Sequence, residues 1–123
     1  LAALHNIVLF QHRETGAVWP MAYDFDWSGI VWTRYSFPDS RLPIMSVRER
    51  LYRGMCLTPE EWAPILSRFQ DKQSALYAVY DSLPDLDPKY VSQTREYLDE
   101  FFEVISDPRR MKREMIDTCR PGA

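Results

Sequence analysis

The run Thr58-Pro59-Glu60-Glu61 constrains the fold of this chain more than any other feature. It supplies a hydroxyl at a helix N-cap, a proline at the first helical position and, three residues after the cap, a glutamate that returns a bond to the cap's own N–H. Trp62, Ile65, Leu66 and Phe69 then recur at i, i+3, i+4, i+7, so a helix begins here with an apolar face to bury. Leu76, Val79, Tyr80 and Leu83 repeat that spacing until Pro84, and the pattern leaves open a break near Lys72. Asp87-Pro88 caps and starts what reads as the longest helix, with Val91, Thr94, Leu98, Phe101 and Ile105 on one face. Asp107-Pro108 restarts the chain in the same way, and Met111, Met115 and Cys119 form a stripe before Pro121-Gly122 ends it. A short helix from Val47 to Arg53, closed by Gly54, is expected ahead of these.

The first part of the chain has a different period. Asn6-Ile7-Val8-Leu9-Phe10 is apolar and β-branched, and after Arg13-Glu14-Thr15-Gly16 a second apolar run extends from Ala17 to Tyr23. Two such runs around a glycine-containing turn predict a β-hairpin. Pro20 lacks an N–H and belongs on an edge or at a bulge of the second strand. From Asp24 to Ser46 the period is lost, while Trp27, Trp32, Tyr35 and Phe37 suggest a long loop packed against something. The expected fold is therefore α+β, an N-terminal β-hairpin followed by a mostly helical bundle. One domain is expected over residues 1–123: hairpin and acidic motif in 1–26, long loop in 27–46, bundle in 47–120.

With 46% apolar residues, four Trp, seven Tyr and six Phe, the chain can fill a core and is no disordered tail. A net charge of −3 and a pI near 5.3 offer no basic face for nucleic acid. No apolar run approaches the roughly 20 residues that cross a bilayer. The chain carries no address that assigns a compartment. It opens at Leu1 and runs at once into an apolar strand, so it reads as the C-terminal fragment of a larger protein, with the missing N-terminal part as its first partner. Cys56 and Cys119 either pair, as in an exported protein, or stand as two core thiols, and the spacing leaves both open.

Chemistry concentrates at the end of the hairpin. Asp24 and Asp26 are separated by one residue, and in extended geometry both point to one side. Two carboxylates so close repel unless a cation or protons relieve them, and hard oxygen donors suit Mg²⁺ or Mn²⁺. The alternative is a pair of turn or cap aspartates that hold the long loop. Asn6, at the start of the hairpin, is expected close to Asp24 across the sheet end, where an amide oxygen and a carboxylate meet the needs of a nucleotide-bound Mg²⁺.

The order Asn6, β-hairpin, Ala22-Tyr23-Asp24 resembles the catalytic-loop Asn, hairpin and metal-binding Asp of a protein-kinase C-lobe, and is closest to the atypical bacterial kinases of the HipA and CotH types. Tyr23-Asp24-Phe25-Asp26-Trp27-Ser28-Gly29 also resembles a motif of uncharacterised bacterial proteins. The resemblance covers Leu4 to Gly29. It implies Mg²⁺ and ATP as cofactors of the intact parent, neither expected to bind the fragment tightly, Asn6 and Asp24 as nucleotide and metal ligands, Asp26 as a further metal carboxylate, and a protein as substrate or partner. No catalytic residue is assigned within the fragment: the Gly-rich loop, the strand lysine and the base upstream of Asn6 all belong to the missing part, so the fragment alone is expected to be inactive. The rival reading is a non-catalytic interaction or structural module. A third takes Asp24-Phe25-Asp26 as the metal-binding DxD of a glycosyltransferase, which needs a βαβ nucleotide fold upstream.

Arg34, Arg41, Arg48, Arg50 and Arg53 are expected to be solvated or stacked rather than phosphate ligands, and Arg109, Arg110, Lys112 and Arg113 to form a solvated helix face. His5 and His12 have no third ligand at zinc spacing, and Ser28, Ser36 and Ser46 lack a nucleophile-elbow pattern. Trp19, Trp27, Trp32 and Trp62 are expected as core or interface anchors.

Overall fold

The computed structural model describes residues 6–31 and 33–121. His5, Trp32 and Gly122, each singled out above, lie outside the described residues. The chain divides into two compact units, Leu1–Glu49 and Arg50–Ala123.

The first unit is built on an antiparallel hairpin of β1 (Ile7–Gln11) and β2 (Val18–Ala22). Pairs of this ladder alternate between hydrogen-bonded and open. The N–H of Tyr23 donates to the carbonyl of Asn6 and that of His12 to the carbonyl of Ala17, which puts the Leu9–Pro20 pair at an open position. Pro20 thus sits where a missing N–H costs nothing. At the turn, Gly16 has φ +69°, a conformation that favours glycine, and its N–H donates to the carbonyl of His12 at 2.9 Å. The His12 ring is a turn cap: its Nδ1 accepts from the N–H groups of Glu14 and Thr15, each at 3.3 Å. Both faces of the hairpin are apolar and both are exposed, from Ile7 at 38% to Trp19 at 65%.

The long loop holds together by hydrogen bonds rather than by ring packing. Trp27, Tyr35 and Phe37 are exposed, contrary to the expectation that the loop's aromatics pack, while Gly29 and Ser36 are buried. The short helix expected over Val47–Arg53 is absent. A single turn stands there: the Glu49 carboxylate accepts from the N–H groups of Met45 and Ser46, and the Glu49 N–H donates to the Ser46 carbonyl. So short a run gains too few bonds to offset helix nucleation.

The second unit contains α1 (Pro59–Asp81), α2 (Pro88–Ser106) and α3 (Pro108–Met111), which runs on as a π-helical turn over Lys112–Ile116. The capping box of α1 is formed, with the Glu61 N–H on Thr58 Oγ1 at 3.3 Å and the Thr58 N–H on Glu61 Oε2 at 2.8 Å. No break occurs near Lys72, because Asp71-Lys72-Gln73-Ser74-Ala75 contains neither proline nor glycine. As a result α1, at 23 residues, and not α2, at 19, is the longest helix. Asp87 caps α2 through the Lys89 N–H, and Asp107 caps α3 through the N–H groups of Arg109 and Arg110.

The core of this unit is Trp62, Phe102, Ile105 and Met111, flanked by half-buried Leu66, Leu76, Leu98 and Met115. Phe69 and Phe101 meet edge to face at 5.2 Å between ring centres, and Tyr52 tilts against Trp62 at 5.4 Å. The chain before α1 and the end of the π-helical turn are joined by the Cys56–Cys119 disulfide and a parallel bridge between Met55 and Arg120.

Candidate functional site at the open end of the hairpin

Asn6 and Asp24 face each other across the last pair of the ladder. The Asn6 side-chain amide donates to the Asp24 carbonyl at 3.2 Å, next to the Tyr23 N–H bond to the Asn6 carbonyl at 3.0 Å. Both residues have left-handed backbone, φ 61° at Asn6 and 57° at Asp24. Asn and Asp accept this conformation more readily than other L-residues, since their short polar chains bond locally. The chain can therefore leave both strands sharply at one end of the sheet.

Asp24 is not extended, so the alternation that would put its carboxylate on the same side as that of Asp26 does not hold. The Asp24 carboxylate is exposed and accepts no hydrogen bond among the described residues. Asp26 is half-buried and tied into the loop: its carboxylate accepts the Tyr35 hydroxyl, and its carbonyl accepts the Ser36 hydroxyl at 2.7 Å. Ser36 in turn shares a hydrogen bond with the Thr33 hydroxyl. The bond to the Asp26 carboxylate, with some desolvation and the negative charges of Asp26 and Asp24, raises the Tyr35 phenol above its ordinary pKa.

As a cation site the end of the hairpin is sparse and hard. With the Asn6 amide nitrogen on the Asp24 carbonyl, Asn6 Oδ1 and the Asp24 carboxylate are left as oxygen donors. Among the described residues no group of three or more His, Cys, Asp or Glu side chains is arranged to hold a metal. Two oxygen donors do not make a cage, but they fit Mg²⁺, which commonly takes one or two protein ligands and fills its shell with water and phosphate oxygens.

The basic residues lie elsewhere or are engaged. Arg41 pairs with Asp39 at 2.5 Å, and Arg48 donates to the Gly29 carbonyl at 3.3 Å. In the second unit Arg50 stacks on the Tyr97 ring, 3.7 Å from its centre, and pairs with Glu100 at 3.1 Å. Arg110 pairs with Glu103 and Glu114, and Lys112 with Asp117, which makes this stretch an ion-paired surface. The pairing of Asp26 with Tyr35 and Ser36 has no signature in the sequence, because contacts nine and ten residues apart in an aperiodic loop follow no period.

No family model, curated protein or solved structure matches this chain.

Proposed function

We propose that the chain is the C-terminal part of a kinase-like phosphotransferase, inactive by itself, whose Mg·ATP is held at the open end of the hairpin. The observation that carries this reading is the convergence of Asn6 and Asp24, 18 residues apart in sequence, with an amide oxygen and a carboxylate that has no hydrogen-bond donor among the described residues left for a cation. Asn6 and Asp24 are the ligands in this reading. Asp26 is a supporting carboxylate that also anchors the loop through Tyr35 and Ser36. Bound Mg²⁺ would neutralise and bridge the phosphate oxygens of the nucleotide. The base, the phosphate-covering loop and the strand lysine are assigned to chain preceding Asn6, and a protein is the proposed substrate.

The exposed apolar residues on both faces of the hairpin favour a second reading, a non-catalytic interaction module in which Asp24 and Asp26 serve only the turn. Titration with Mg²⁺ or Mn²⁺, with and without ATP, followed by the amide shifts of Asn6 and Asp24, separates the two. Coupled shifts that saturate together and vanish in Asp24→Asn support the nucleotide site. Unmoved amides at millimolar metal and ATP favour the interaction module.

A further inference from the structure

We infer that the Cys56–Cys119 disulfide is a redox-sensitive clasp that holds the segment Lys112–Pro121 against the α1–α2 pair, and that a dithiol reductant releases it. Among the described residues few other ties retain this segment, beyond Met115 packed at the edge of the core. Its backbone ties to the chain before α1 are the Cys56 N–H on the Arg120 carbonyl and the Arg120 N–H on the Gly54 carbonyl, each at 2.9 Å. Its ion pairs, Lys112–Asp117 and Arg113–Glu114, are internal, and Glu114 reaches only Arg110, in the adjoining α3. Of its apolar side chains, Met115 is half-buried and Ile116 is 43% exposed. The segment begins as a π-helical turn, a form that rarely extends beyond a single turn.

The disulfide is also within reach of a reductant, because Cys56 is exposed and Cys119 only half-buried. Two apolar cavities, of about 310 and 330 Å³, are lined by Trp62 and Leu66 of α1 and each meets one residue of this segment. Ile116 contributes to the wall of the first and Met115 to that of the second.

Release is a thiol–disulfide exchange. A thiolate of the dithiol attacks one cysteine sulfur, and the other cysteine leaves as a thiolate. The second thiol of the reductant then displaces the first cysteine. Two electrons and two protons pass to Cys56 and Cys119, and the reductant ends as its own disulfide.

The test treats the folded protein with dithiothreitol without denaturant, counts thiols with a maleimide, and follows hydrogen exchange by mass spectrometry. Two labelled thiols are expected, with exchange faster by roughly tenfold or more in residues 112–121 and 54–57, while α1 and α2 keep their protection. The double variant Cys56→Ala with Cys119→Ala should show the same exchange without reductant and no further response to it. The inference is overturned if the disulfide resists reduction in the folded protein, or if the reduced form exchanges like the oxidised one. It is equally overturned if α1 and α2 lose protection together with the segment in the reduced protein or the variant, since the disulfide would then staple the whole unit.

Discussion

The Asn6 amide and the Asp24 carbonyl close the open end of the hairpin with a 3.2 Å hydrogen bond, and both residues hold left-handed backbone to do so. This one contact joins the end of a secondary-structure element to the beginning of the long loop. It makes the positions testable in two separate ways, as backbone and as ligand.

Asp24→Gly should stabilise the corner while removing the carboxylate. Glycine adopts φ near 57° without the penalty an L-residue carries, so a gain of about 0.5–1 kcal/mol in urea unfolding of the first unit is expected. The Mg²⁺-dependent shift at Asn6 should disappear in the same variant. A loss of hairpin stability would show that the Asp24 side chain supports the fold.

Tyr35 should titrate above the ordinary tyrosine range. Its folded value is raised, first by the hydrogen bond to Asp26, so the contribution of that bond is present below the unfolded value near 10 and is lost as pH rises through the folded one. The midpoint, read from the Tyr35 ring signals by NMR, should fall in Asp26→Asn, because the variant removes the charge. An unchanged midpoint would break the assignment.

Thr58→Ala should destabilise the second unit by about 1 kcal/mol, since it removes the side-chain acceptor of the Glu61 N–H and with it one half of the capping box. Urea unfolding at constant slope would measure this. Thr58→Ser, which keeps the hydroxyl, should lie close to the parent.

Trp62→Ala should cost about 3–5 kcal/mol in the same assay. Trp62 is 7% exposed, packs on Tyr52 and lines two apolar cavities of its unit, so truncation merges existing voids with a new one. Phe69→Ala should cost less, because Phe69 is 42% exposed.

Much of the architecture was legible because its signals are local. The hairpin follows from two apolar runs around Gly16; β2 lies within its run, and β1 extends one residue past its run, to Gln11. The starts of α1, α2 and α3 follow from Thr58-Pro59, Asp87-Pro88 and Asp107-Pro108, where a side-chain acceptor precedes a residue that lacks an N–H. Val47–Arg53 misled because a helix-like composition without a packed face does not overcome nucleation. The single turn capped by Glu49 satisfies the same backbone groups. The proximity of Asn6 and Asp24 was foreseeable from hairpin register, but the left-handed backbone at Asp24, which breaks the extended path expected there, was not.

Sequence alone therefore determined where the hairpin lies and where α1, α2 and α3 begin, because capping, proline geometry and periodicity act over a few residues. Only the tertiary structure decided which of two open states Cys56 and Cys119 adopt, since they are 63 residues apart and meet only when α1, α2 and α3 have packed. It also decided that Asp26 is held by Tyr35, while the carboxylate of Asp24 accepts no hydrogen bond among the described residues. Those outcomes depend on the path of an aperiodic loop, and no short-range preference encodes that path.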